Sequence, residues 1–384
     1  MDRRRTYALA IAASALVVGM GAARPTPPPS PSPSSSPRAS QSPSQSPSQS
    51  PSQSPTATQS DGTLQILTYR GYAEYGGTSP KVNWTGAFEK ETGCRIAKLD
   101  TVQTAEEMAD KVDDRPYDVI SAGPVLASDL IAKKQVQAID PAKVAGYDDI
   151  DERFRDMSTV SGKVYGVPYL WGYHEFIYDA DRVEGGNLRE VFASERVALR
   201  DTPLTIADAA MAGGSDEPYE LTTKQLDETM ALLEAGNKDR VYWRNPIDLV
   251  KGFATGSLDY AQATPYYKML LQKAGKPIKA VNTRRTTGWV DSWMLGANVP
   301  DTTCAYRWLN WVTAADAQRD AAAWVGLAPA NDKACKGRAR QMCEAYGAGE
   351  DKKLDHVLFA VRPPACGECS DYDAWTERWR ELAE

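Results

Sequence analysis

From residue 63 onward, short runs that alternate apolar and polar residues trade places with longer runs of helical period. Strand-like runs cover 63–70, 94–100 and 117–122. Helical segments cover about 82–92, 104–112 and 125–135. Thr104-Ala-Glu-Glu107 has the form of a capping box, with threonine as N-cap and glutamate three residues on. Strand, helix and strand in short units predict right-handed crossovers and a parallel sheet. Ligands of such sheets bind outside the carboxyl ends of the strands. Gly71-Tyr-Ala-Glu-Tyr-Gly-Gly77 follows the first strand and therefore lies on that edge.

A second set of elements begins near residue 166. Gly166-Val-Pro-Tyr-Leu-Trp-Gly172 leads into a strand at Glu175-Phe-Ile-Tyr178. Residues 222–237 predict a helix, with Thr222 and Gln225 as a capping pair and Leu226, Met230 and Leu233 on one face. Val241-Tyr-Trp-Arg-Asn-Pro246 reads as another strand running into a turn. Residues 302–315 suit an amphipathic helix, with Trp308 and Trp311 on one face as core positions.

The start of the chain changes this picture. Met1-Asp-Arg-Arg-Arg5 precedes an apolar run from Tyr7 to Ala23, the order of charges and apolar residues that export requires. Residues 1–23 are expected to be a signal peptide cut near Ala23 or an uncut membrane anchor. No cysteine near the end of the run offers a site for lipid attachment. Residues 24–61 are almost wholly Pro, Ser, Thr and Gln, too poor in apolar surface to offset chain entropy, and are expected to be a disordered linker. The folded part is thus placed outside the cytoplasm.

The chain has 384 residues and a formal charge of −7. Residues 61–384 contain 39 basic and 50 acidic residues, a balance of −11, which argues against nucleic acid as a partner. All six cysteines fall in the folded part, and in an exported chain an even number predicts disulfides. Cys335–Cys343 and Cys366–Cys369 close short loops and leave Cys94–Cys304. A four-thiolate zinc site from the late cysteines and a redox pair at Cys366-Gly-Glu-Cys369 are the alternatives.

At this point the chain resembles the extracytoplasmic solute-binding proteins of ABC importers, in the spermidine/putrescine branch and an actinobacterial-like subgroup of it. The resemblance rests on Phe88-Glu-Lys-Glu-Thr-Gly93, Tyr117-Asp-Val-Ile120, Val167-Pro-Tyr-Leu-Trp-Gly172, Gly288-Trp-Val-Asp-Ser-Trp293, Cys304-Ala-Tyr-Arg-Trp-Leu309 and Ala328-Pro-Ala-Asn331, in the family's order. It implies an α/β, two-lobed type II periplasmic-binding-protein fold, each lobe a mostly parallel sheet flanked by helices, with two hinge crossings. Lobe 1 would be 62–170 plus 291–345 and lobe 2 would be 171–290. Residues 346–384 would form a Cys- and Trp-containing tail packed back on both. Cys94 and Cys304 then share a lobe.

The resemblance also implies an exported, monomeric binding protein with no cofactor. It would deliver a small cationic solute to permease subunits driven by a cytoplasmic ATPase. Polyamine sites hold ammonium groups between aromatic faces and against carboxylates. Carried over residue by residue, Tyr72, Tyr75, Trp171, Trp289 and Asp291 become ligand contacts, with Glu74 turned to solvent or bracing its turn. Asp201 stands near the place of an acidic pair, and Tyr242 and Trp243 stand at the mouth of a lobe-2 strand. The chain departs from the pattern at Arg200-Asp-Thr-Pro-Leu-Thr205, which has one acid rather than two. Ser121-Ala-Gly-Pro-Val-Leu126 has no aromatic residue, and no Trp follows Leu258.

Tyr266 and Tyr267 suggest an alternative, a ferric-ion site of the same superfamily, with only His174 and His356 as possible imidazole ligands. A membrane-tethered sensor or scaffold without a transport role is a further alternative. Among enzymes, the chain lacks a Gly-x-Ser-x-Gly elbow and a His-Glu-x-x-His run, so no enzyme is expected.

Overall fold

The eleven-residue strand Thr286–Gly296 is buried along its whole length, so it has structure on both faces, and it organises the larger of two sheets. The computed structural model describes residues 62–77, 79–299, 304–360 and 368–383. Residues 1–61, with the expected export segment and linker, lie outside the described residues.

Among the described residues the first sheet has eight strands. Its main path runs Ala328–Pro329, Val167–Tyr173, Thr286–Gly296, Val119–Ala122, Thr63–Tyr69, Arg95–Val102. The β/α start of the chain supplies the parallel part, with Thr63–Tyr69 paired to both Arg95–Val102 and Val119–Ala122. The second sheet has five strands in the order Val241–Trp243, Val197–Arg200, Tyr260–Ala263, Glu175–Asp179, Ile278–Ala280. The fold is the expected two-lobed α/β arrangement, but both sheets are mixed. Thr286–Gly296 runs antiparallel to Val119–Ala122 and Val167–Tyr173, and Glu175–Asp179 runs antiparallel to Tyr260–Ala263. These strands enter by direct crossing from one sheet to the other, without the helical crossover that keeps neighbours parallel. The chain passes between sheets at His174 and returns between Ala280 and Thr286.

Local chemistry sets the boundaries. Thr104 accepts from the Glu107 amide at 3.1 Å and starts helix Ala105–Lys111, and Thr222 with Gln225 forms a full capping box on helix Thr223–Ala235. Gly93, at φ +72°, ends helix Thr85–Thr92 in the left-handed region. Helix Cys304–Thr313 buries Trp308 completely, with its ring 5.0 Å from Phe88 and 5.3 Å from Trp293. The tail contributes strand Val357–Phe359 to the first sheet. Its last helix, Tyr372–Ala383, lies on the second-sheet side, where Asn237 Nδ2 donates to the Leu382 carbonyl at 3.0 Å.

Cys94–Cys304 and Cys335–Cys343 are disulfides, each with Cα atoms 5.7 Å apart. Cys369 is also disulfide-bonded, and Cys366 of the expected Cys366–Cys369 pair lies outside the described residues. The Cys94–Cys304 bridge spans 210 residues and so restricts much of the unfolded chain. Replacing both cysteines by alanine is expected to lower the unfolding free energy by roughly 3–5 kcal/mol, read by urea denaturation. An unchanged denaturation midpoint would remove the bridge as a determinant of stability.

Candidate functional site

The carboxyl edges of both sheets face a cavity of about 290 Å³. From the first sheet come Tyr69 and Tyr72 at the end of the first strand, and Thr287, Trp289 and Asp291 from Thr286–Gly296. Residues 287, 289 and 291 share a face because strand side chains alternate with period two. The second sheet supplies Arg200, Asp201 and Trp243 at or just past its strand ends, and helix Pro265–Lys273 adds Tyr267.

Two irregularities aim Asp291 and Tyr72 at each other. The ladder between Thr286–Gly296 and Val167–Tyr173 skips a residue: Asp291 lies opposite Leu170 and Ser292 opposite Pro168, leaving Tyr169 extra. Such a bulge re-aims side chains at sites, and Pro168 has no N–H to give the ladder. Tyr169 then donates to the Tyr72 carbonyl at 3.2 Å, and Trp84 Nε1 reaches the same oxygen at 3.3 Å. Gly71, at φ +95°, makes the turn that brings Tyr72 round. Tyr72, 4% exposed, is wedged between the rings of Tyr69 and Tyr169 at 5.6 and 5.5 Å. Its hydroxyl donates to Asp291 Oδ2. Gly123 approaches the same carboxylate so closely that a Cβ there would stand 3.1 Å from Oδ1.

Burial dominates the electrostatics of this pair. Asp291 is 5% exposed, and loss of hydration pushes its carboxyl up to about 6, against the lowering effect of the Tyr72 hydrogen bond and the Arg200 charge. Tyr72 moves well above the usual phenol range through burial and the neighbouring Asp291 charge, so it stays a donor.

On the opposite wall the Arg200 guanidinium lies over the Trp289 ring, 4.5 Å from its centroid, and its Nη1 is 3.4 Å from His174 Nε2. His174 is buried in a polar cluster in which Asp208 Oδ2 accepts from Gln262 Nε2 at 2.7 Å and Thr287 Oγ1 at 2.8 Å. His174 Nδ1 is 3.0 Å from Thr287 Oγ1 and 3.2 Å from Asp208 Oδ2. With the threonine proton on Asp208, Nδ1 carries the imidazole hydrogen and Nε2 is left as acceptor for Arg200. Burial lowers the His174 pKa, which keeps the ring neutral and able to accept.

Of the residues singled out in the sequence, Tyr72, Trp289, Asp291, Asp201 and Trp243 line the cavity. Asp201 accepts from Arg244 Nε at 2.5 Å and from Trp379 Nε1 of the last helix at 2.8 Å. Trp243 is anchored by its indole N–H on the Gln262 carbonyl at 2.9 Å. Four others lie elsewhere. Tyr75 is 65% exposed, because the turn that buries Tyr72 sends its neighbour three residues on to the surface. Trp171 is a core residue, its indole bonded to the Pro329 carbonyl at 3.0 Å and its ring against Phe154. Tyr242 donates to Asn237 Oδ1 at 2.6 Å and packs on Trp379. Tyr266 stands outside the cavity that Tyr267 lines. Glu74 is buried, and its carbonyl braces the turn by accepting the amides of Trp84 and Thr85.

Among the described residues no group of three or more His, Cys, Asp or Glu side chains could hold a metal ion. Tyr69, Arg200 and the Asp208–Gln262 surroundings of His174 are site features beyond those expected from the sequence. Arg200 carried a usable signal, since it ends a strand on the ligand-binding edge next to Asp201.

An unneutralised, buried carboxylate costs stability on the order of 3 kcal/mol for its rise from 3.8 to about 6. Because the folded value is the higher one, the cost is full above pH 6 and disappears as pH falls below 4. Asp291→Asn is therefore expected to melt higher than the native protein at pH 8, with the difference vanishing near pH 4, in thermal denaturation without ligand. A native protein more stable than the variant at pH 8 would contradict this account of the site.

A model of the family "Bacterial extracellular solute-binding protein" matches residues 83–341. The Escherichia coli spermidine/putrescine-binding periplasmic protein is 21% identical over 295 residues, 70% of this chain and 82% of that protein. Its Salmonella typhimurium counterpart is 21% identical over 261 residues, 64% of this chain and 72% of that protein. The crystal structure of a Streptococcus pneumoniae spermidine/putrescine ABC transporter substrate-binding protein aligns with a TM-score of 0.62 at 16% identity. That alignment covers 83% of this chain and 97% of the other, and it shows a common fold.

Proposed function

The chain belongs to the bacterial extracellular solute-binding proteins, and from that premise we propose that it is the substrate-binding component of an ABC importer. It captures a polyamine or a related organic cation outside the membrane and hands it, as a monomer, to permease subunits powered by a cytoplasmic ATPase. The observation that carries the reading is Asp291: a buried carboxylate that accepts from Tyr72 and is touched by Trp289, with no ion pair among the described residues, on the wall of a cavity between two sheets. A ligand ammonium supplies the charge that the protein leaves out. Tyr69 lines the same cavity and supplies a ring face beside it. The names of the relatives support the same class of solute.

Residues 62–173 with 286–345 and residues 175–280 are the two lobes of this proposal, hinged where the chain crosses at His174 and between Ala280 and Thr286, so 171–173 and 286–290 join the first lobe rather than the second. Closure brings the Asp291 wall and the Arg200 wall onto the solute. Residues 346–384 tie both lobes, and residues 1–61 serve as export segment and spacer.

Melting-temperature shifts with ammonium-bearing solutes test the reading, because a solute that binds the native state raises the melting temperature by mass action. At least one alkyl ammonium solute is expected to give a shift, and Asp291→Asn is expected to weaken its binding about ten- to a hundredfold. The reading fails if no such solute gives a shift, or if the variant binds as the native protein does.

A further inference from the structure

We propose that the cleft selects a solute carrying both an ammonium and a carboxylate group, an ω-amino acid rather than a linear diamine, with Asp291 receiving the ammonium and Arg200 the carboxylate. The inference rests on the solute-binding reading above and names the class of solute.

The charges lining the cavity decide the matter. Arg70 and Glu106 are exposed at the rim. Arg244 and Asp201 satisfy each other at 2.5 Å, and Trp379 takes the second oxygen of Asp201. That leaves Arg200 and Asp291 facing the interior. Among the described residues neither forms an ion pair, although the charge of Arg200 is felt at Asp291, Tyr69, Tyr72 and Tyr267. Among the described residues the interior is therefore neutral in sum but split, with the Arg200 charge on the second-sheet wall and the Asp291 charge on the first. A solute with one charge of each sign neutralises both. A diamine neutralises Asp291 and then adds a second ammonium to a cavity that already holds a guanidinium.

Two further observations point the same way. The face of Trp289 that would receive an alkyl ammonium is already covered by the protein's own guanidinium at 4.5 Å. And Arg200 is placed rather than loose. Its amide donates to Gln262 Oε1 at 2.8 Å, its carbonyl accepts from Thr205 Oγ1 at 2.9 Å, and Nη1 rests on His174 Nε2 at 3.4 Å. The same Gln262 and His174 are fixed by Asp208. Stacked on an indole and held at one nitrogen, a guanidinium keeps its other N–H groups for a planar, two-oxygen acceptor, which a carboxylate is. A cavity of about 290 Å³ holds the volume of roughly ten waters, ample for a chain of four to six carbons.

The test is calorimetric titration and thermal shift on the full-length protein with three probes at each of four, five and six carbons: the α,ω-diamine, the ω-amino carboxylate and the monoamine. At the best length the amino carboxylate is expected to bind ten- to a hundredfold more tightly than the monoamine, with the diamine weaker than both. Arg200→Gln should bring the amino carboxylate down to the level of the monoamine, and Arg200→Glu should raise the diamine above the other two. Melting temperatures without ligand establish that both variants fold. If the diamine binds the native protein at least as tightly as the amino carboxylate, and Arg200→Gln leaves that order unchanged, the inference is overturned and the cation-binding reading stands. If no probe shifts the melting temperature, both fall.

Discussion

The hydrogen bond from Tyr72 to Asp291 is the contact on which the site depends. It joins the turn after the first strand to the centre of the strand Thr286–Gly296, 219 residues apart in sequence. Each partner is held by something unusual in the backbone: a left-handed glycine before Tyr72 and a ladder bulge opposite Asp291. Their product is a carboxylate that has lost its hydration, accepts from a phenol and, among the described residues, forms no ion pair. In a dry wall such a group is a fault in stability. In a binding cleft it is stored demand for a ligand's positive charge.

The second wall is built on different terms. There the charge is a guanidinium, supported by neutral hydrogen-bonding groups that descend from Asp208 through Thr287 and His174. The support spans both sheets, since Thr287 belongs to Thr286–Gly296 while Gln262 and Arg200 belong to the smaller sheet. His174 sits at the crossing itself, so the residue that steadies Arg200 also lies where the chain changes sheet. Asp201 illustrates the opposite outcome: with Arg244 and Trp379 on it, it is structural mortar between the smaller sheet and the last helix.

Much of the fold is legible in the sequence because it is local. The capping threonines, the Gly93 stop and the alternation of short and long apolar periods place the early strands and helices within a few residues. The mixed direction of the sheets is not local, since it follows from where the chain crosses, and hydrophobic period carries no sign for strand direction. The site divides the same way. Trp289 and Asp291 are legible through the resemblance, which carries both over from the family's pattern at the second crossing. Tyr72 and Tyr75 are equivalent in sequence, and only the turn geometry separates a ring 4% exposed from one 65% exposed. Trp171 looks like a site residue for the reason that makes it a core residue, a large ring on a strand buried on both faces. Arg200 escapes a reading tuned to carboxylates and rings.

The most direct measurement of the central claim is the proton balance of binding. Calorimetric titration with 5-aminopentanoate at pH 6, in two buffers of different ionisation enthalpy, counts the protons released. Asp291, with its carboxyl pushed up to about 6, is half protonated there and must ionise to receive an ammonium, so about half a proton is expected to leave per solute bound. No proton released, or net uptake, would contradict the claim that a buried, unneutralised Asp291 is what the solute binds.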